Sequence, residues 1–491
     1  MTARRATILA SLLGVGVARC AAEEDVVARR VQASSAGGSA TGGGAGIGGG
    51  AGTGGGAGTY GGAGTYGGAG TYGGAGTGGS TSGGRMCDET PLVSTAQSST
   101  PTRNVCPEWA ARRSFAHALC SCGDVNLGRA LVSTTVDSSQ PERELKGSAA
   151  VGINGNYLQT DYVRIDGSLT IAGNQALSSS GGFDVAGDLR LAGPATAAGP
   201  LFVGRDAWLL GATSSLSLVE IKRDLHLGPD AAVTSFGPVL VSGRRVEEPF
   251  AIAPPCACAQ SDWLDVPGMV ADGLARNDNA RIGLSLDALD AVSSPVELTL
   301  SCGRFAVRRI GGVLPITLRI EGEVVLFVDG NVELGPAFLL ELAPGATLDW
   351  FVRGAISIAP SARLGDSARP GALRLYSIEP AELALPGTAN VALNLYAPRT
   401  SVSVGGLGDV YGAVFAASVE TGATLILHYD RSVLNADAAC ASAAPASCNR
   451  CDDCAAGLSC LQGTCGSCVS DTDCCFPLVC QQGGCTTLGS D

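Results

Sequence analysis

The chain has 491 residues, a net charge of −13 and a pI of about 4.8. It contains 71 glycines and 19 cysteines, but only 5% aromatic and 16% charged residues. This composition is unlike that of an ordinary cytosolic enzyme, and the negative charge argues against nucleic acid or an anionic membrane surface as a partner.

Residues 1–20 have the features of an export signal. Two arginines precede an apolar run, residues 6–18, that is too short to span a bilayer but typical of a signal peptide. The run ends at Val17-Ala18-Arg19-Cys20, which resembles the lipobox in which a bacterial cysteine is acylated. Because Arg19 stands where a small residue is usual, three interpretations stay open: lipidation of Cys20 at the outer membrane or cell surface, plain secretion, and a failed or mis-started signal.

Residues 21–85 are predicted to be a disordered, Gly-rich tether. The hexad Gly-Gly-Ala-Gly-Thr-Tyr recurs there, with its tyrosines at Tyr60, Tyr66 and Tyr72. Such a stretch buries too little apolar surface to offset the entropy of ordering its backbone. We therefore expect a spacer that holds the following body away from a membrane or wall.

Residues 86–150 are predicted to form a cysteine-containing N-terminal cap. A short helix is expected over residues 107–119, because Pro107 suits a first turn and Trp109, Ala116 and Leu119 could share one face.

Residues 151–440 contain a repeated phrase, apolar-x-Gly-Asp/Ser-apolar-x-apolar, with variants. It begins at residues 165, 185, 203 and 221, and it returns at residues 328 and 352. Alternation within the phrase indicates a half-buried strand, and its small or polar centre indicates a bend. A repeat of about 20 residues made of bent strands is typical of stacked coils. We predict a mainly β fold, a β-solenoid of ten to twelve coils about 50 Å long, with a two-sheet sandwich as the alternative.

An insertion over residues 244–295 interrupts the repeat. It contains a predicted helix over residues 266–276, with Asp265 as its N-cap and an apolar face directed at the β-body. The residues expected on that face are Val266, Met269, Val270 and Leu274. Helices of this kind can protect the exposed edge of a solenoid.

Residues 448–485 are predicted to be a disulfide-rich micro-domain with an internal duplication. The spacing Cys454-x5-Cys460-x4-Cys465 recurs 20 residues later as Cys474-x5-Cys480-x4-Cys485. A segment this short has no room for a hydrophobic core, so disulfides must hold it.

Removal of Cys20 leaves 18 cysteines, an even number that suits nine disulfides in an oxidising compartment. The pairs Cys120/Cys122 and Cys256/Cys258 could in principle bind zinc, but export favours disulfides that join the N-terminal segment to the insertion. No metal or other cofactor is expected. The disulfide candidates are Cys87, Cys106, Cys120, Cys122, Cys256, Cys258, Cys302, Cys440, Cys448, Cys451, Cys454, Cys460, Cys465, Cys468, Cys474, Cys475, Cys480 and Cys485.

Several motifs carry a family resemblance. They are Asn277-Asp278-Asn279, Cys302-Gly303-Arg304, Leu326-Phe327-Val328-Asp329-Gly330, Leu395-Tyr396-Ala397-Pro398, Val410-Tyr411-Gly412-Ala413-Val414-Phe415 and His428-Tyr429-Asp430. Through them, residues 85–440 resemble myxobacterial-type exported proteins with an uncharacterised β-solenoid-like domain. The resemblance implies a stacked-β surface domain and brings no activity. The tail is similar to small disulfide modules of secreted proteins.

Two groups of residues could carry chemistry. His428-Tyr429-Asp430, with Asp409 or Glu420 nearby, could perform acid–base work, but a polar cap on the last coil is favoured. Asp188, Asp206 and Asp224 recur at one phrase position and could form an acidic ladder, for which turn chemistry is the favoured interpretation. His226, between two leucines, is expected to point outward.

The sequence thus predicts a non-catalytic structural or adhesive protein, exported to the cell surface or secreted, that presents a rigid β-body. Its partner would be a surface protein or polysaccharide, with membrane contact only through an N-terminal lipid. One alternative is a carbohydrate-active enzyme on a β-solenoid. Another is a protein-binding module that acts through the cysteine-rich tail.

Overall fold

The computed structural model describes residues 93–95, 103–105, 107–142, 146–157, 159–434, 459–461, 464–466, 478–481 and 484–487. The predicted signal peptide with Cys20, the predicted tether and most of the tail lie outside the described residues. Of the candidate cysteines, Cys87, Cys106, Cys440, Cys448, Cys451, Cys454, Cys468, Cys474 and Cys475 also lie outside them.

The predicted β-solenoid is confirmed. Over residues 163–227, the three-residue strands have their outer two residues buried and their middle residue more exposed, as in Leu225–Leu227. Because successive side chains of a strand point to opposite faces, this alternation places the two leucines inside the coil and His226 on its outer surface. The strands of successive coils pair in parallel.

The first winding of the chain runs from β3 to β21. Before it lie the antiparallel pair β1 (Val93–Thr95) and β2 (Arg103–Val105) and the helix α1 (Pro107–Ser114), which is shorter than predicted. The winding comprises β3 (Leu119–Ser121), β4 (Val125–Leu127), β5 (Leu131–Val136), β6 (Val151–Ile153), β7 (Gln159–Thr160), β8 (Val163–Ile165), β9 (Leu169–Ile171), β10 (Leu177–Ser179), β11 (Phe183–Val185), β12 (Leu189–Leu191), β13 (Ala195–Ala197), β14 (Leu201–Val203), β15 (Ala207–Leu209), β16 (Thr213–Ser215), β17 (Val219–Ile221), β18 (Leu225–Leu227), β19 (Val233–Ser235), β20 (Val239–Val241) and β21 (Arg245–Glu247).

The second winding follows the helices α2 (Val266–Ala275) and α3 (Asn279–Ile282). It comprises β22 (Val296–Leu300), β23 (Gly303–Val307), β24 (Ile316–Ile320), β25 (Glu323–Val328), β26 (Val332–Leu334), β27 (Phe338–Leu342), β28 (Thr347–Val352), β29 (Ile356–Ile358), β30 (Leu373–Ser377), β31 (Glu382–Leu385), β32 (Asn394–Val404), β33 (Asp409–Tyr411), β34 (Val414–Thr421) and β35 (Leu425–Asp430). Short 3-10 turns occur at Gln260–Asp262, Pro370–Ala372 and Arg431–Leu434.

The coils do not stack in sequence order. The longest sheet has the strand order β21-β18-β15-β12-β9-β6-β3-β34-β32-β30-β28-β25-β23. The first coil of the first winding therefore packs against the last coil of the second winding, with Leu119 opposite Val414 and Ser121 opposite Ala416. The chain starts in the middle of the rod, winds to one end, crosses to the opposite end and winds back to the middle.

This order differs from the prediction in two respects. Residues 119–136, expected within an N-terminal cap, instead form a coil in the middle of the rod, because β3 and β5 pair with strands on both sides. The rod is also longer than predicted. Thirteen stacked strands are separated by twelve spacings of about 4.8 Å and span about 58 Å.

The crossing segment, residues 248–265, is called the strap. It runs along the outside of the longest sheet from β21 toward the other end of the rod, and Asn154 on the first winding exchanges two hydrogen bonds with the backbone of Cys256. Farther along, the backbone N–H of Leu264 donates to the Tyr396 hydroxyl on the second winding. The helix α2 then packs on β23, β25 and β28.

The predicted insertion helix is confirmed as α2. The Asp265 side chain caps it by accepting a hydrogen bond from the Gly268 backbone N–H at 3.0 Å. Its buried face includes Val266, Met269 and Val270. No helix in the described part of the chain has the length and apolarity to cross a bilayer.

In the tail, β36 (Ser459–Leu461) pairs with β37 (Thr464–Gly466), and β38 (Leu478–Gln481) pairs with β39 (Gly484–Thr487). Both pairs are antiparallel. Cys460 lies opposite Cys465, and Cys480 lies opposite Cys485, so the predicted duplication corresponds to two equivalent hairpins.

Candidate functional site

His428 lies on the outer surface where the two windings meet. Its ring stacks on Tyr411 with centroids 4.4 Å apart, its Nε2 lies 3.3 Å from Asp409 Oδ1, and its Nδ1 lies 3.3 Å from Thr134 Oγ1. A hydroxyl, an imidazole and a carboxylate in this order could in principle transfer a proton. The nearby cavity, lined in part by Asp409 and Tyr411, has a volume of about 10 Å³, which is room for one water molecule.

The neighbouring Tyr429 and Asp430 are buried and bind other parts of the backbone. The Tyr429 hydroxyl donates to the Phe115 carbonyl at 2.7 Å. Asp430 accepts hydrogen bonds from Ser138, Gly371 and Ser432, so one carboxylate joins three chain segments. The motif therefore holds separate backbone segments together, as the interpretation of it as a polar cap expected. It lies in the middle of the rod because β35, in the last coil of the second winding, pairs with β5 of the first winding. Glu420, the other carboxylate considered, lies on β34 and is exposed.

Asp188, Asp206 and Asp224 form the predicted ladder, and each one binds the next coil. The Asp188 carboxylate accepts a hydrogen bond from the backbone N–H of Asp206. In the same way, the Asp206 carboxylate accepts from the backbone N–H of Asp224, and the Asp224 carboxylate accepts from the backbone N–H of Arg244. The arginines Arg205, Arg223 and Arg244 lie beside these carboxylates, at 3.1, 3.6 and 2.8 Å.

The hydrogen bonds from Arg244, first from its backbone N–H and then from its guanidinium, hold the pKa of Asp224 below its usual range. The carboxylates of the ladder thus accept hydrogen bonds from backbone N–H groups at the bends of the next coil, which agrees with the interpretation as turn chemistry. Within the described residues, no three side chains able to ligate a metal lie together.

Two disulfides attach the strap to the middle of the rod. Cys120 is bonded to Cys256 and Cys122 to Cys258, which is the pairing expected between the N-terminal segment and the insertion. Cys302 is also disulfide-bonded. The zinc alternative for the first four cysteines does not apply, because their sulfurs are bonded to one another.

One continuous row of side chains follows the outer surface of the longest sheet, and we call it the outer row. In stacking order it comprises Ala306, Phe327, Phe351, Tyr376, Tyr396, Phe415, Cys120, Gly152, Thr170, Arg190, Trp208, His226 and Val246. Its aromatic members on the second winding are buried. Gly273 of α2 comes so close to Phe327 that a Cβ there would lie 2.2 Å from the ring.

On the first winding the outer row is partly open to solvent. The Arg190 guanidinium lies 4.4 Å from the centre of the Trp208 ring, and that ring stacks on His226 at 5.0 Å. His226 Nδ1 lies 3.3 Å from Glu248 Oε1 at the start of the strap. The Trp208 ring thus lies between Arg190 on one coil and His226 on the next, so this surface offers the edge of the ring and the polar atoms of its two neighbours to a partner.

Sequence reasoning placed His226 correctly on the outside but missed Arg190 and Trp208. The signal was available, since all three occupy the sixth position of the repeated phrase at an 18-residue spacing. Because parallel coils align such positions, that spacing predicts contact between their side chains.

Residues 273–436 match a family described as Domain of unknown function (DUF7305). The match covers the second winding, α3 and the end of α2. The part of the outer row that is open to solvent lies on the first winding. No curated protein and no solved structure matches the chain. The chain is therefore a β-solenoid protein whose second winding is similar to that domain of unknown function.

Proposed function

We propose that this protein is a non-catalytic, exported surface protein, structural or adhesive, that presents a rigid β-rod on the Gly-rich tether predicted from the sequence. The disulfide-attached strap supports this most strongly. The crossing between the two ends of the rod is fixed by Cys120–Cys256 and Cys122–Cys258. Since disulfides persist in oxidising compartments, a fold that uses them in this way suits a secreted or cell-surface protein.

The adhesive part of the proposal rests on Arg190, Trp208 and His226. Trp and Arg are the side chains most often found at the energetic centre of protein interfaces. Here they lie on the flat outer face of a sheet, and two cavities among the described residues each have room for about one water molecule. A flat surface suits an extended polysaccharide or another surface protein better than a small substrate.

Binding of surface polysaccharide, isolated from the producing cells, to the immobilised full chain tests the adhesive role. We expect Trp208→Ala to weaken binding at least tenfold, because it removes the ring that contacts both neighbours. Leu407→Ala is the matched control, since Leu407 is also exposed but lies on the second winding. Equal binding by both variants would remove the support for this surface.

Intact mass of the native protein from separated cell fractions tests export. A diacyl or triacyl mass at Cys20 in the outer-membrane fraction supports the anchored form, and a processed protein in the medium supports the secreted form. A cytosolic protein with free thiols would contradict both.

The carbohydrate-active enzyme is the alternative that the His428 cluster favours. It predicts that His428→Ala abolishes cleavage of the same polysaccharide while binding persists. The tail module predicts instead that deletion of residues 448–491 alone abolishes binding.

A further inference from the structure

The two ends of the rod differ. At the β23 end, the side-chain amide of Asn279 exchanges two hydrogen bonds with the backbone of Ala306, at 2.7 and 2.9 Å. Asp278 similarly binds the backbone of Arg304. These residues occupy the edge of β23 as a neighbouring strand would, so the edge of the longest sheet is covered at this end.

At the opposite end, β19, β20 and β21 are the last strands of their sheets, and none has a further strand beside it among the described residues. Val219, one coil below, is fully buried, whereas its register partner Val239 is 39% exposed. Leu240 is 50% exposed, and Phe236, at the corner between β19 and β20, is 86% exposed. Apolar surface of this kind on an open strand edge is typical of an interaction site.

The edge of β21 carries a self-complementary charge pattern. Arg245 and Glu247 occupy inward positions, above the fully buried Leu225 and Leu227. Because the Arg244 carbonyl and the Glu248 N–H bind β18, the alternate residues Arg245 and Glu247 direct their backbone groups toward the open side. Within one chain the Arg245 guanidinium lies 3.2 Å from the Glu247 carboxylate, and both side chains are more than half exposed.

We propose that this end binds a second copy of the same chain around a two-fold axis. Antiparallel pairing of two β21 strands centred on Val246 places Arg245 of each copy opposite Glu247 of the other. In that register the two residues form a hydrogen-bonded pair, so their open backbone groups and their opposite charges are matched together.

In this end-to-end arrangement the exposed Phe236 of each copy faces the end of the other copy. The helical rise sets β19 and β20 below β21. Apolar side chains, chiefly Phe236 and Leu240, therefore fill the remaining space between the copies. Because a two-fold interface uses the same surface of both copies, association stops at two copies and does not continue into a filament. A single coil of 18 residues (231–248) is near the lower limit for a stable interface, so we expect a concentration-dependent dimer.

Native mass spectrometry and sedimentation of the full chain over a concentration series test the proposal. We expect dimers of the unaltered chain, and at least a tenfold loss of dimer affinity in Arg245→Glu and in Glu247→Arg, because each places like charges opposite one another. Mixing these two variants should produce a 1:1 heterodimer, since one end is then wholly acidic and the other wholly basic. Formation of this heterodimer also shows that both variants are folded.

Phe236→Ala should weaken the dimer in the same assay, whereas Leu407→Ala should not. A chain that is monomeric at all concentrations would overturn the proposal. A dimer that is indifferent to both charge reversals, with no heterodimer on mixing, would overturn it too.

Discussion

Removal of the two strap disulfides, singly and together, should give strongly non-additive losses of stability. Cys120–Cys256 closes a loop with a sequence separation of 136, and Cys122–Cys258 closes a loop of the same size beside it. Either bridge alone keeps the long loop closed. The second bridge then closes only a small ring formed by residues 120–122 and 256–258.

The chain-entropy relation gives the magnitudes. Closing the long loop in the unfolded chain contributes about 5 kcal/mol, and closing a ring of about six residues contributes about 2 kcal/mol. Replacing one bridge by two alanines should therefore cost about 2 kcal/mol. Replacing both should cost about 7 kcal/mol, well above the sum of about 4 kcal/mol.

Guanidinium unfolding followed by circular dichroism measures these losses under oxidising conditions. Substitution is preferable to a reducing agent, because Cys302 is also disulfide-bonded. The packing cost of each cysteine enters both the separate and the combined variants, so it largely cancels in the comparison. A combined loss equal to the sum of the two single-bridge losses would refute the reasoning, since the strap would then not close a long loop.

Three other substitutions probe the strap and the cap. Asn279→Ala should cost about 1–3 kcal/mol, because it leaves the Ala306 backbone groups without partners; Arg281→Ala, on the exposed side of the same helix, is the control in the same unfolding assay. Gly273→Ala should cost about 1–3 kcal/mol through its clash with Phe327, with Ala271→Ser as the exposed control, and an unchanged midpoint would contradict the close approach. Burial raises the pKa of Tyr396 to about 12, so its protonated form is favoured in the folded state and stability is lost as pH rises from 10 to about 12. Tyr396→Phe should lose less stability than the unaltered chain over that window in pH-dependent unfolding, and equal losses would contradict this assignment.

The sequence predicted the solenoid and α2 because their signals are local. The repeated phrase spans seven residues, and the helix is marked by Asp265 and the apolar spacing that follows it. The contacts of Cys120 and Cys122 were also within reach, since two matching Cys-x-Cys pairs suggest two parallel bridges.

The stacking order could not be predicted because it depends on which coils meet across almost 300 residues. The coil that contains Leu119 and Leu131 lacks the repeated phrase, so it was assigned to a cap. Its position between two coils is determined by edge pairing with β34 and β35, and no local pattern reveals that pairing. The same limitation hid the partners of Asp430, because Ser138 and Gly371 are remote from it in sequence.

The distance between Phe236 and Val313 distinguishes the observed stacking order from stacking in sequence order. These exposed residues belong to coils at opposite ends of the rod. Non-canonical amino acids at the two positions can carry spin labels without using the native cysteines, and dilution with unlabelled protein removes distances between copies. The two windings predict a separation of about 55–60 Å from twelve coil spacings. If the coils stacked in sequence order, these two coils would be neighbours, and a separation below about 20 Å would contradict the account.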